Sequence, residues 1–332
     1  MRLAKLSVGL LAAAATVGLG LSAADAQTTL RLSHQWSTSD VRHKVAEIVA
    51  DHVKAADVGL EIQIYPTQSL FKAREQWQPT SRGQLDMTVF PLAYAGGVHP
   101  EFNLTLMPGL VKSHDHAARL NDSEFMDAIK QIAEDDGVMI LVDGYLAGGF
   151  AGTEKCITAP EDVQGLQTRA AGKAFEQMLA EAGASIASMA SSEIYTAMQT
   201  GVLQAANTSS SSFVSYRIYE QVKCYTPAGD YALWFMYQPL MMSKASFDRL
   251  DEAQQKAILE GSEKAEAFYL EEAKKQDAES VRVFRENGVE ISEMNEAQFN
   301  AWREIAKKSS YQEFSKEVEG GQELLDMALS VE

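Results

Sequence analysis

Polar and apolar residues alternate over Thr28–Ser33 and again, strictly, over Leu60–Tyr65 (LEIQIY), where Pro66 stops the run. A period of two predicts a strand at each place. Between them, Val45, Ile48, Val49 and Val53 recur at helical spacing, so Val41–Ala55 reads as a helix. Residues 72–82 read as a second helix carrying Trp77, with Pro79 inside it and Gly83 closing it, and residues 85–90 as a third strand. Strand, helix, strand, helix, strand at this spacing predicts a parallel α/β sheet.

The second half changes rhythm. Residues 123–135 predict a helix ended by Gly137, and Val138–Val142 a strand. Residues 144–152 hold four glycines and read as a crossover between lobes. Further strands are expected at 166–170, 205–208 and 288–291, and helices at 174–182, 193–200, 212–221 and Glu296–Ala306. Gly183 and Gly201 close two of these helices, and Ser191 or Ser192 opens one. Residues 230–243 are apolar and aromatic, which predicts one buried strand returning toward the first lobe. From 251 to about 286 the chain is polar and helical, with Glu271, Glu272, Lys274 and Lys275 marking a solvated face.

The N-terminus adds location. Arg2 and Lys5 precede an uncharged apolar stretch over 6–21 and a small-residue site at Ala24-Asp25-Ala26. That is the pattern of a cleaved export signal over residues 1–26, with cleavage before Gln27 and a periplasmic destination. The remaining chain exceeds a single core, so two lobes are expected. The expected division is 27–147 plus about 232–275, and 148–231 plus about 276–332. A formal net charge of −17 argues against nucleic acid and anionic membranes as partners. It leaves room for an anionic ligand in a shielded cleft.

Cys156 and Cys224 are the only cysteines. They sit in similar contexts, Lys155-Cys156-Ile157-Thr158 and Lys223-Cys224-Tyr225-Thr226, both read as short strands. An oxidising compartment favours a disulfide between them, with two buried thiols as the alternative. Neither has a cysteine or histidine at metal-ligand spacing, and no metal or cofactor is expected. No nucleophile elbow, zinc-protease helix, phosphate loop or dinucleotide fingerprint is present. His34 and His99 are the candidates for a rival reading, a periplasmic hydrolase or isomerase.

Arg169 raises a sharper question. It sits on a short apolar strand, Leu166-Gln167-Thr168-Arg169-Ala170, just after the turn Ala159-Pro160-Glu161-Asp162. A guanidinium there needs a partner, either a structural carboxylate or a ligand carboxylate that its planar fork accepts. Polar or aromatic residues at strand ends supply further candidates: Gln35, Trp36, Arg74, Tyr94, Tyr145, Trp234 and Phe235.

Two runs carry a resemblance, Thr-Ala-Pro-Glu-Asp-Val-Gln-Gly-Leu-Gln-Thr-Arg at 158–169 and Ser-Glu-Ile-Tyr-Thr-Ala-Met-Gln-Thr-Gly-Val-Leu-Gln at 192–204. In order and separation they resemble the two signature motifs of DctP-type solute-binding proteins of tripartite ATP-independent periplasmic (TRAP) transporters. The family's usual lysine is Gln167 here and its usual aspartate is Gln204. The resemblance implies a periplasmic-binding-protein-like α/β fold, two lobes around a cleft, with a long C-terminal helix spanning both. It also implies no enzymatic activity. It places a ligand carboxylate on Arg169 and a polar contact near Asn207. The implied ligand is a small organic acid, expected to be a monocarboxylate, aromatic or 2-oxo/2-hydroxy substituted. The implied partners are the small and large TRAP membrane subunits, driven by an ion gradient and served by a monomer. A sensor domain or an ABC-importer receptor is the alternative within the same fold.

Overall fold

The structure is a computed structural model, and it describes residues 27–332. The export signal expected over 1–26 lies outside the described residues. Two sheets organise the chain. In chain order the strands are β1 (Thr28–Ser33), β2 (Leu60–Tyr65), β3 (Met87–Val89), β4 (Val138–Val142), β5 (Tyr145–Gly152), β6 (Gln167–Ala170), β7 (Ser185–Ser188), β8 (Ala205–Ser209), β9 (Cys224–Thr226), β10 (Trp234–Tyr237), β11 (Leu240–Ser243) and β12 (Glu290–Ile291).

The first sheet runs β2-β1-β3-β11-β4. Its β1, β2 and β3 are parallel, as the alternating patterns and the helix between them required. That helix, Val41–Ala55, turns Val45, Val49 and Val53 fully inward. Asp40 caps it by accepting from the Arg42 N–H. The expected helix over 72–82 is only Trp77–Ser81. Pro79 is tolerated in this first turn, where an N–H has no helical acceptor. The segment before it is instead tied down by side chains: Gln68 accepts from the Ala73 N–H.

The second sheet runs β12-β9-β5-β8-β6-β7, with β10 also paired to β5. Here two expectations are corrected. The glycine-rich 144–152 is no open crossover but β5, buried at every residue. Its glycines reflect close approach: a Cβ on Gly148 would stand 1.9 Å from the Thr208 carbonyl oxygen. The single strand expected over 230–243 is two, β10 in the second sheet and β11 in the first. They are broken at Gln238-Pro239, because proline has no N–H to continue a ladder. The chain thus passes between sheets at Asp143-Gly144 and again at Gln238-Pro239.

The long helix Glu252–Glu286 is capped by Asp251 and, at 1.5 Å per residue, is about 50 Å long. Its Ala257, Ile258, Gly261 and Ala265 face the first core, and Phe284 joins the second beside Tyr225. It therefore spans both sheets. Cys156 and Cys224 form a disulfide, Cα to Cα 4.9 Å, closing 68 residues. A loop of that length corresponds to about 4 kcal/mol of denatured-chain entropy.

Candidate ligand-binding site

Parallel strands converge with their carboxyl ends toward one region between the sheets, where open α/β folds place ligands. Arg42 follows β1, Arg74 follows β2, Tyr94 follows β3 and Ser209 ends β8. Arg169 is the penultimate residue of β6. Between them lies a small cavity lined by Arg42, Tyr94, Arg169, Ser191, Trp234 and Gln238 among others. It has room for about one water.

Arg169 is 1% exposed. Its Nε donates to the Met189 carbonyl (3.0 Å), Nη1 to the Asn207 carbonyl (2.7 Å) and Nη2 to the Tyr94 hydroxyl (3.0 Å). Of the five N–H donors of a guanidinium, two remain. Arg74 approaches the same groups. Its guanidinium lies 4.2 Å over the Tyr94 ring and donates to the Ala171 and Met189 carbonyls. The arginines with carboxylate partners among the described residues are Arg31, Arg42, Arg217, Arg249 and Arg282. Arg169 and Arg74 are not among them. Two positive charges thus flank one phenol. Burial resists ionisation of Tyr94, but Arg169 and Arg74 outweigh it and hold its pKa below the ordinary value. Burial likewise pulls the Arg169 pKa down.

Arg42 shows the opposite arrangement. Asp40 grips it with both oxygens, to Nε and Nη2, each at 2.7 Å. Nη1 donates to Gln238 (2.7 Å) and Ser209 (3.3 Å), and Nη2 to Ser211 (2.9 Å) and Ser212 (3.0 Å). Trp36 stacks beneath it at 4.0 Å. Burial opposes ionisation of Asp40, yet Arg42 holds its carboxyl below the usual range.

Several buried polar atoms have no partner among the described residues: Asn207 Oδ1 and Nδ2, Trp234 Nε1, Gln238 Nε2 and Arg74 Nε. Trp234 and Ser209 both pair with Gly148, and Asn207 lies two residues from Ser209 on the same strand face. Register thus sets Asn207 and Trp234 on one side of the second sheet.

The sequence candidates divide. Arg169, Tyr94 and Trp234 line the cavity. Arg74 borders it through Tyr94, and Trp36 backs Arg42. Gln35 accepts from Ser191 Oγ at 3.3 Å, itself a lining residue. Two candidates fall elsewhere. Tyr145 lines a separate surface cleft with His114 and Leu270, and its hydroxyl donates to Met126. Phe235 alternates to the far face of β10, edge-on to His114. Neither histidine of the rival reading lines the cavity. His34 is fully buried, with Nδ1 accepting from the Trp36 N–H and Nε2 bonded to His43. His99 pairs with Asp136 beside Trp77. The metal-ligating group among the described residues, Cys156, Cys224 and Glu290, has both sulfurs in the disulfide.

Sequence reasoning missed Asp40, Arg42, Gln238 and the serines 209–212. One signal was present. A cation in the first turn of a helix opposes the dipole, so Arg42 needed a reason to be there. The four consecutive serines carry no period and gave none.

Residues 32–317 match the family described as bacterial extracellular solute-binding protein, family 7. A solute-binding protein of Albidiferax ferrireducens is 36% identical over 314 residues, covering 92% of this chain and 93% of that protein. A TRAP periplasmic solute-binding protein of Rhodoferax ferrireducens, solved with bound malonate, is 35% identical with a TM-score of 0.87, covering 91% of this chain and 98% of that one. A Bordetella pertussis extracytoplasmic solute receptor binding pyroglutamic acid reaches a TM-score of 0.83 at 23% identity, covering 91% of this chain and 99% of that one, a likeness of fold.

Proposed function

The chain belongs to the bacterial extracellular solute-binding proteins of family 7, the receptors of TRAP transporters, and from that premise we propose that it captures a short organic acid with Arg169 on one carboxylate and Arg74 drawing in a second. It is a receptor, not an enzyme. The carrying observation is the pair of guanidiniums without carboxylate partners among the described residues, one over the Tyr94 ring and one on its hydroxyl. A monocarboxylate offsets one of these charges. A dicarboxylate offsets both, and the tightness of the cavity favours a short acid over an aromatic one. The malonate found in the Rhodoferax ferrireducens relative supports the same choice.

Asn207 and Trp234 would orient the ligand, since their buried polar atoms lack partners among the described residues. The two sheets act as the two lobes and close by hinge motion at the crossings near residues 143–144 and 238–239. The closed receptor, exported by its signal and acting as a monomer, delivers the acid to the small and large membrane subunits.

Calorimetric titration tests this. Malonate should bind at least about tenfold tighter than acetate or benzoate, a difference of about 1.4 kcal/mol. Equal affinity for a monocarboxylate overturns the dicarboxylate assignment. No heat or thermal shift with any small carboxylate overturns the acid-receptor reading.

A further inference from the structure

We propose that Arg42, held by Asp40, and the serines after β8 form a latch between the two sheets that sets how long a ligand stays. This rests on the reading above that the sheets close around a ligand. Arg42 lines the ligand cavity, yet the ligand has little to gain from it. Asp40 cancels its charge, and every nitrogen of its fork already donates within the protein. Its role is therefore positioning.

The bonds sort by what a hinge would change. Asp40 and Arg42 are two residues apart at the start of one helix, so their pair survives any separation of the sheets. Ser209, Ser211 and Ser212 belong to the end of β8 and the Ser210–Ser215 helix of the second sheet. Their bonds to Arg42 exist only while the sheets are together. Ser215 adds a bond to Asp40 Oδ2 at 2.7 Å, and Tyr216 donates to the Gln35 carbonyl at 3.1 Å across the same seam. Hydroxyls suit a reversible contact. They rotate to accept from Arg42 when closed and turn to water when open, with no charge left bare in either form. Ser209 Oγ also donates to Ser212 Oγ, so the set engages as a group.

The test removes an acceptor and leaves the ion pair. In the Ser211→Ala variant, at a residue outside the cavity lining, one bond to a charged donor is lost, which predicts a malonate dissociation rate roughly ten- to a hundredfold faster. The association rate should be unchanged, and ligand-free stability should fall by less than the affinity. An unchanged dissociation rate overturns the latch. So does a ligand-free stability loss as large as the affinity loss, which marks a purely structural role. If wild-type protein ignores malonate, the ligand reading fails, and small-angle scattering of the ligand-free proteins then decides the latch. A larger radius of gyration in the variant supports it, and equal radii overturn it.

Discussion

Arg42 and Arg169 are each 1% exposed and line one cavity, yet they are opposite kinds of buried charge. Arg42 has a carboxylate two residues away and donates from all three nitrogens. Arg169 has carbonyls and a phenol, with Arg74 adding a second positive charge nearby. Burying an ion is costly unless a counter-charge comes with it. The first site carries its own counter-charge. The second has none among the described residues, and that is the ground for proposing it as the receptor site.

The largest expected effect breaks the self-contained side. Arg42→Gln strands Asp40 in the interior and should cost about 3–5 kcal/mol of stability in denaturant unfolding. Adding Asp40→Asn should restore part of it, since no bare charge remains. Arg169→Ala should behave the other way. Malonate affinity falls by roughly tens to thousands of fold, corresponding to about 2–5 kcal/mol. Ligand-free stability falls by no more than about 1–2 kcal/mol, because no carboxylate is orphaned. If both variants lose stability equally, the distinction between the two arginines is wrong.

A smaller effect comes from acid. Burial pulls His34, behind Trp36 and Arg42, down to about 3 from 6.5. A histidine neutral in the fold and protonated when unfolded stabilises above pH 6.5, and that stability drains as pH falls toward 3. Between pH 7 and pH 4.5 the loss is about 3 kcal/mol by linkage. Asp40 adds to the decline only lower, as pH falls through its depressed range. Melting curves of His34→Asn should lack the upper part of this acid limb. An identical limb in wild type and variant would remove His34 as its source.

Much of this was legible locally. Val41–Ala55, β1 and β2 fell where apolar spacing put them, and the long helix where its polar, alternating charges put it, because these patterns are properties of neighbouring residues. Arg169 was legible as a charge on an apolar strand. With two cysteines, the disulfide had one possible pairing. The errors that bear on the site were long-range. Residues 144–152 looked like the crossover itself because glycine marks connections and close packing alike, and only Thr208 and Trp234 against Gly148 show that the crossing is confined to Asp143-Gly144. Tyr145 and Phe235 looked like pocket walls because aromatic residues at strand ends serve many faces.

By itself, then, the sequence determined an α/β chain with a long terminal helix, one disulfide and a guanidinium in need of an anion. It could not say which arginine was already satisfied. Asp40 and Arg42 are two residues apart in sequence, but Ser211, Ser212 and Gln238 reach Arg42 from 169, 170 and 196 residues away. Arg169 and Tyr94 meet across 75. Charge compensation depends on distances of a few ångströms, and only the folded packing of the two sheets sets those.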